Sequence, residues 1–176
     1  MKLSDDLIVV HFFYLLADRT FTDCCSHFII FVFLIFLNFL ILDDATRDLF
    51  EASISVRENA YAPYSKFLVG AALRDSCGNI HTGCNVENAS FAMTTCAERA
   101  AIAKAVSNGQ RKFVSLAVSA AYEDNDLFVS PCGGCRQNIL EFSSKDEEFT
   151  VYLVKPDRSK VIETTINSLL PLSFVL

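Results

Sequence analysis

Two cysteine motifs govern what this 176-residue chain can become. Cys96-Ala97-Glu98 is followed, after 32 residues, by Pro131-Cys132-Gly133-Gly134-Cys135. Cys132 and Cys135 are three apart, so one helical turn puts both thiols on one side. Pro131 suits the first turn of a helix running through Phe142. Residues 96–107 (CAERAAIAKAVS) are rich in helix formers and end at Asn108-Gly109, a C-cap signal. Both motifs therefore sit at helix starts, where the helix dipole favours the thiolate. Three thiolates suit zinc, and three protein ligands leave a fourth position for water. A lone C-x-x-C also reads as a redox pair, but such a pair needs nothing at Cys96. A structural zinc site needs a fourth protein ligand. No His has zinc-finger spacing, and Cys77 and Cys84 lie in and beside a hairpin. Cys84, flanked by Gly83 and Asn85, reads as a small packed residue.

The rest of residues 45–176 reads as one α/β domain. Residues 45–60 place Leu49, Ile54 and Val56 among charged residues, an amphipathic helix that Tyr61-Ala62-Pro63-Tyr64-Ser65 breaks. Residues 67–73 and 79–86 read as strands, and the short link Arg74–Gly78 makes them antiparallel. Residues 114–120, 149–154 and 160–165 are further strands, followed by a short terminal helix. Between the last two strands lie only Lys155–Ser159. Five residues close a hairpin, whereas a parallel crossover takes a dozen or more. The order predicts a five-stranded mixed sheet covered by helices, with its last two strands antiparallel.

Charge narrows the partners. The net charge is −6 with pI ≈ 5.0, and no Lys/Arg cluster appears, so the surface repels phosphates and a nucleic-acid partner is not expected. Seven Cys cannot all pair within the chain.

Residues 1–42 differ in character. They hold eight of the 16 Phe, and residues 28–42 read FIIFVFLIFLNFLIL. A membrane-crossing helix needs about 20 apolar residues, and no Lys/Arg flank sets an orientation. A secretory signal fits poorly: Asp5 and Asp6 follow Lys2, and no small-residue cleavage site precedes Asp43. The readings are a translated stretch of non-coding sequence, which we favour, a membrane-associated segment, or an added core or oligomerisation element. We therefore divide the chain into an apolar extension, residues 1–44, and a soluble domain, residues 45–176. Cys24 and Cys25 fall in the extension and carry little meaning.

The two motifs, taken in order with Tyr64-Ser65-Lys66-Phe67, Gly70-Ala71-Ala72, Gly83-Cys84-Asn85-Val86-Glu87-Asn88-Ala89, Arg99, Ser130, Arg136-Gln137 and Leu170-Pro171, resemble the zinc-dependent cytidine deaminases of the small, three-cysteine type. The resemblance runs from about Leu49 to Phe174. It implies a three-layer αβα fold and one zinc per chain on Cys96, Cys132 and Cys135. It implies hydrolytic deamination of cytidine and deoxycytidine by water in pyrimidine salvage, with Glu98 as proton shuttle. Without the cysteines, Glu98 would read as a solvated first-turn carboxylate, which the dipole favours. Arg99 is implied to hydrogen-bond ligand thiolates; an Arg in a first turn is otherwise unfavourable or simply a surface residue.

Asn85 and Glu87 alternate along an extended segment and point the same way. The resemblance implies that both hold the sugar, and a carboxylate there repels a 3′-phosphate. Phe67 resembles the residue that packs on the pyrimidine, against an ordinary core reading. The Ala97 N–H and Ser130 C=O are implied contacts for the pyrimidine O2 and the amine. Ala89 and Phe91 are implied neighbouring-subunit contacts in a homotetramer, although the family often has Tyr where Phe91 stands. A cytoplasmic enzyme is expected, with membrane association through residues 28–42 the alternative. The rival functions are deamination of another free pyrimidine or a nucleotide, and a non-catalytic scaffold keeping the zinc fold. The terminal hairpin argues against the polynucleotide types, which resemble a parallel last strand. If residues 1–42 are dispensable, their deletion leaves a soluble, zinc-loaded domain, because an exposed Phe-rich run is an aggregation hazard. A deletion variant that is insoluble beside a soluble full-length chain would move the domain boundary.

Overall fold

The computed structural model describes residues 43–122, 127–143 and 148–175. The expectations for residues 1–42 lie outside the described residues. The elements follow the order α1 (Asp44–Arg57), β1 (Gly70–Asp75), β2 (Ile80–Cys84), a 3₁₀ turn (Phe91–Met93), α2 (Ala97–Ser107), β3 (Phe113–Ser119), α3 (Gly133–Glu141), β4 (Thr150–Val154), β5 (Val161–Thr165) and α4 (Ile166–Leu169).

The strands form one mixed sheet in the order β2-β1-β3-β4-β5. β1 runs antiparallel to both β2 and β3, β3 and β4 are parallel, and β4 and β5 are antiparallel. The connection carrying α3 is long enough for the parallel step, while the Lys155 turn permits only a hairpin. In that turn Lys155 N–H donates to Lys160 O and Arg158 takes a left-handed φ of 64°.

Side chains alternate between the two faces as the pleat requires. Ala72, Ala117, Val154 and Val161 meet Leu49, Phe50 and Ile54 of α1. Ala71, Leu73, Leu116, Val118, Val151 and Leu153 face Ala97, Ala101, Ile102 and Ala105 of α2 and Ile139 of α3. This is the expected αβα sandwich. Gly70 and Gly83 let helices approach closely. A Cβ on Gly70 would come 2.1 Å from Ser53 O in α1, and one on Gly83 would come 2.3 Å from Ala101 N in α2.

Several boundaries differ from the sequence expectation. α1 starts at Asp44 because the Asp43 carboxylate caps it, accepting from Thr46 N–H at 2.9 Å and Thr46 Oγ1 at 2.8 Å. It ends at Arg57, and its buried stripe includes Phe50 rather than Val56. Residues 67–69 lie outside β1, where the Asn85 side chain accepts from Val69 N–H and donates to Phe67 O. Pro131 does not open α3. The helix begins at Gly133 and Cys132 is its N-cap.

At the far end of β1 the carboxylate of Asp75, 1% exposed, gathers Cys77 N–H, Asn79 N–H and the Asn79 amide, and lies 2.9 Å from His81 Nε2. It sits at a register shift between Arg74 and Asp75, where the strand ladder is interrupted. Burial alone would raise its pKa, but the hydrogen bonds from His81, Asn79 and Cys77 outweigh it and hold Asp75 at about 2. A folded-state pKa below the ordinary value stabilises the fold above that value and stops doing so as pH falls through the folded pKa. Asp75→Asn is expected to destabilise the protein by about 1–3 kcal/mol at pH 7. Urea denaturation should show the gap from wild type closing as pH falls from about 4 towards 2; a gap that stays constant would assign the stability to packing alone.

Candidate metal and catalytic site

The strand ends Gly70, Cys84, Ser119 and Val154 lie side by side in the register of the sheet, and both cysteine-bearing helices begin near this edge. Cys96 is the N-cap of α2 and Cys132 the N-cap of α3, both in extended backbone. Cys135 then stands at the third helical position of α3, the spacing at which an N-cap side chain and its first turn meet. Neither N-cap thiol makes a capping hydrogen bond, so both remain available as ligands.

The Sγ atoms of Cys96, Cys132 and Cys135 all lie within 4.8 Å of one another, and Cys96 and Cys132 are 4.0 Å apart. Thiolates about 2.3 Å from a tetrahedral zinc stand about 3.8 Å from each other. The donor set and its spacing therefore fit zinc. Among the described residues no other such cluster of His, Cys, Asp or Glu occurs.

The electrostatics favour a thiolate here. The Cys96 thiol is drawn down to about 5, first by its hydrogen bond with Cys135 and then, against burial, by Arg99 and Cys132. Cys135 is pushed up by the same bond and by its burial. Arg99 Nη2 lies 3.8 Å from Cys96 Sγ and donates to Thr94 O at 2.7 Å, which anchors the guanidinium beside the sulfur. Glu98 follows two residues after Cys96 and is 4% exposed. Burial raises its carboxyl above the ordinary value against the pull of its own N–H, and the charge on Cys96 raises it further. A carboxyl lifted in this way can hold and release a proton closer to neutral pH.

Cys96, Cys132 and Glu98, but not Cys135 or Arg99, line a cavity of about 220 Å³, below the ~300–1,000 Å³ of drug-sized pockets and suited to one small ring. Phe67, Asn85, Ala97, Glu98, Ser130, Cys96 and Cys132 all border it. The Phe67 ring is backed by Tyr122, with centroids 5.5 Å apart. Glu87 does not border the cavity. Its carboxylate accepts from Tyr64 N–H at 2.9 Å, from Ser65 N–H at 3.2 Å and from Ser65 Oγ. Ala89 and Phe91 stand apart on the exposed surface before and within the 3₁₀ turn, Phe91 with its ring 6.4 Å from Tyr64.

Sequence reasoning missed Val69, Thr94, Val118 and Val129, which complete the lining. It also missed the work of Arg136. That side chain donates to Pro131 O at 2.8 Å, Leu169 O at 2.8 Å and Ser130 Oγ at 3.0 Å, tying the turn before α3 to α4. Two of its three partners are backbone carbonyls, which no residue pattern announces.

Comparison with known proteins agrees with this geometry. The family model described as the cytidine and deoxycytidylate deaminase zinc-binding region matches residues 44–151. A cytidine deaminase of Sporosarcina psychrophila is 51% identical over 122 residues, which are 69% of this chain and 85% of that protein. One of Halalkalibacterium halodurans is 43% identical over 126 residues, 72% of this chain and 91% of its own length. The crystal structure of a cytidine deaminase from Burkholderia pseudomallei is similar with a TM-score of 0.65 and 40% identity, covering 72% of this chain and 97% of that one.

Proposed function

The chain belongs to the cytidine and deoxycytidylate deaminase family, and we propose that it hydrolyses the 4-amino group of cytidine and deoxycytidine, giving uridine or deoxyuridine and ammonia. The observation that carries this reading is the buried Glu98 carboxylate in the same ring-sized cavity as Cys96 and Cys132, two members of the three-thiol cluster. Cys96, Cys132 and Cys135 hold one zinc per chain. When bound, the ion supplies a water acidic enough to serve as nucleophile near neutral pH.

Glu98 moves the protons. It takes one from the attacking water and delivers it to ring N3 as the water oxygen bonds to C4, then carries the second to the departing amine, so that ammonia leaves as the C4–N4 bond breaks and a C4 carbonyl remains. Its burial keeps it reactive in both directions. Arg99 and the first-turn N–H groups of α2 and α3 offset the charge of three thiolates. Phe67 packs on the ring face, the Ala97 N–H binds the exocyclic pyrimidine O2, and the Ser130 C=O accepts from the amino group.

At the sugar, Asn85 and Glu87 are already oriented by the loop they hold. Glu87 accepts three hydrogen bonds, and a carboxylate offers about four acceptor positions, which leaves room for a 3′-hydroxyl. Asn85 Nδ2 donates once, to Phe67 O, and keeps a second N–H for a hydroxyl. The Glu87 charge disfavours a 3′-phosphate, and with it a nucleotide inside a nucleic-acid chain.

Exposed Tyr61, Tyr64, Phe91 and Met93 support a homotetramer in which Ala89 and Phe91 reach a neighbouring site. No helix of the described residues is long and apolar enough to cross a membrane. We place the enzyme in the cytoplasm, where free thiols such as Cys77 and Cys84 stay reduced. We read residues 1–42 as dispensable to residues 45–176.

Glu98→Gln tests the mechanism. It is expected to keep the fold and one zinc per chain while cytidine turnover falls by at least ~10²–10⁴-fold. Near-normal turnover with zinc in place would remove Glu98 from the mechanism.

A further inference from the structure

Lys155 follows the last residue of β4 and is fully buried, although lysine is rarely enclosed without a charged partner. Its ammonium donates to the backbone carbonyl of Leu127 and lies 4.8 Å from the centroid of the Phe128 ring. No carboxylate pairs with it among the described residues. Among the described residues its partners are that one carbonyl and that one ring, and burying an ammonium is costly, so its location needs a reason.

Its partners supply that reason. Leu127 and Phe128 lead directly into Val129 and Ser130, which form one wall of the cavity. The wall's downstream end is tied by Arg136 at Ser130 Oγ and Pro131 O. The upstream end has Lys155, whose backbone is fixed by the β4–β5 turn through Lys160 O and Arg158 N–H. Val154 pairs with Ser119 in the sheet, so the lysine springs from the same edge at which the cavity opens.

We propose that Lys155 is a positioning residue for substrate selection: its buried ammonium holds the Leu127–Ser130 wall inward and thereby sets how much room the amino edge of the ring receives. The inference rests on the reading of Ser130 as the residue that meets the amino group. Lys155 touches no reacting atom. It acts through the wall, and the wall acts on the base.

The experiment uses the full-length, zinc-loaded enzyme and Lys155→Met, which keeps an unbranched stem and removes the charge and donor. Hydrogen exchange followed by mass spectrometry should be at least about tenfold faster at the Leu127–Ser130 amides, with β3 and β4 unchanged. kcat/KM for cytidine should fall about tenfold to a hundredfold at unchanged zinc content. Turnover of N4-methylcytidine relative to cytidine should rise, because a slackened wall admits the larger amino edge. A merely structural lysine would not move that ratio.

Unchanged exchange in the wall, exchange that rises across the whole sheet, or an unchanged substrate ratio would each overturn the proposal. If Lys155→Met does not fold, Phe128→Leu removes the ring beneath the ammonium and is held to the same readouts. A wild-type protein inert towards cytidine would refute the proposed function instead, and the exchange comparison would still decide what Lys155 holds.

Discussion

Two helix N-termini meet at one edge of a sheet, and the residues that cap them are cysteines. Everything else in the site follows from that convergence. A thiolate cluster concentrates negative charge, which is tolerable only where positive potential already exists. The open N–H groups of α2 and α3 provide it, and Arg99 adds a full charge 3.8 Å from Cys96 Sγ. The convergence in turn depends on close packing of α2 against the sheet. A side chain at Gly83 would collide with the α2 backbone at Ala97 and Ala101. Moving that helix would carry Cys96 away from Cys132 and Cys135, and Glu98 away from the cavity.

A second principle governs the irregular segments around the cavity, beside the α2 residues Ala97 and Glu98 and the β3 residue Val118. Side chains bonded to backbone hold these segments. Asn85 binds Phe67 O and Val69 N–H, and Glu87 binds Tyr64 and Ser65 N–H. Arg136 binds Pro131 O, and Lys155 binds Leu127 O. Such bonds replace the ladder bonds that regular structure would have made. The walls are thus built before a substrate arrives, which reduces the ordering cost of binding.

The sequence made the chemistry legible and left much of its support hidden. The Cys96, Cys132 and Cys135 cluster could be read because metal ligation demands particular residue types at particular spacings, and Glu98, picked out beside Cys96, lies buried in the cavity wall. The two hairpins could be read because their links are too short for any crossover. The edges of elements were harder. Pro131 looks like a first helical residue, yet the helix waits for Gly133 because Cys132 takes the capping position. Phe67–Val69 looks like the start of β1, yet a side chain from residue 85 has taken its polar groups. Lys155 and Arg136 carry no signal of their roles, since their partners are backbone carbonyls and a serine hydroxyl, and carbonyls occur everywhere. Resemblance implies a sugar contact for Glu87, but its position outside the cavity lining and the three hydrogen bonds that occupy it required coordinates.

The proposed activity requires three cysteines, and only three, to bind a single ion with one position left for solvent. Zinc K-edge X-ray absorption on the purified full-length protein reads that coordination shell directly. Three sulfur neighbours at about 2.3 Å and one oxygen are expected. Four sulfur neighbours would mean a closed structural site, and a protein that deaminates cytidine without bound zinc would contradict the account altogether.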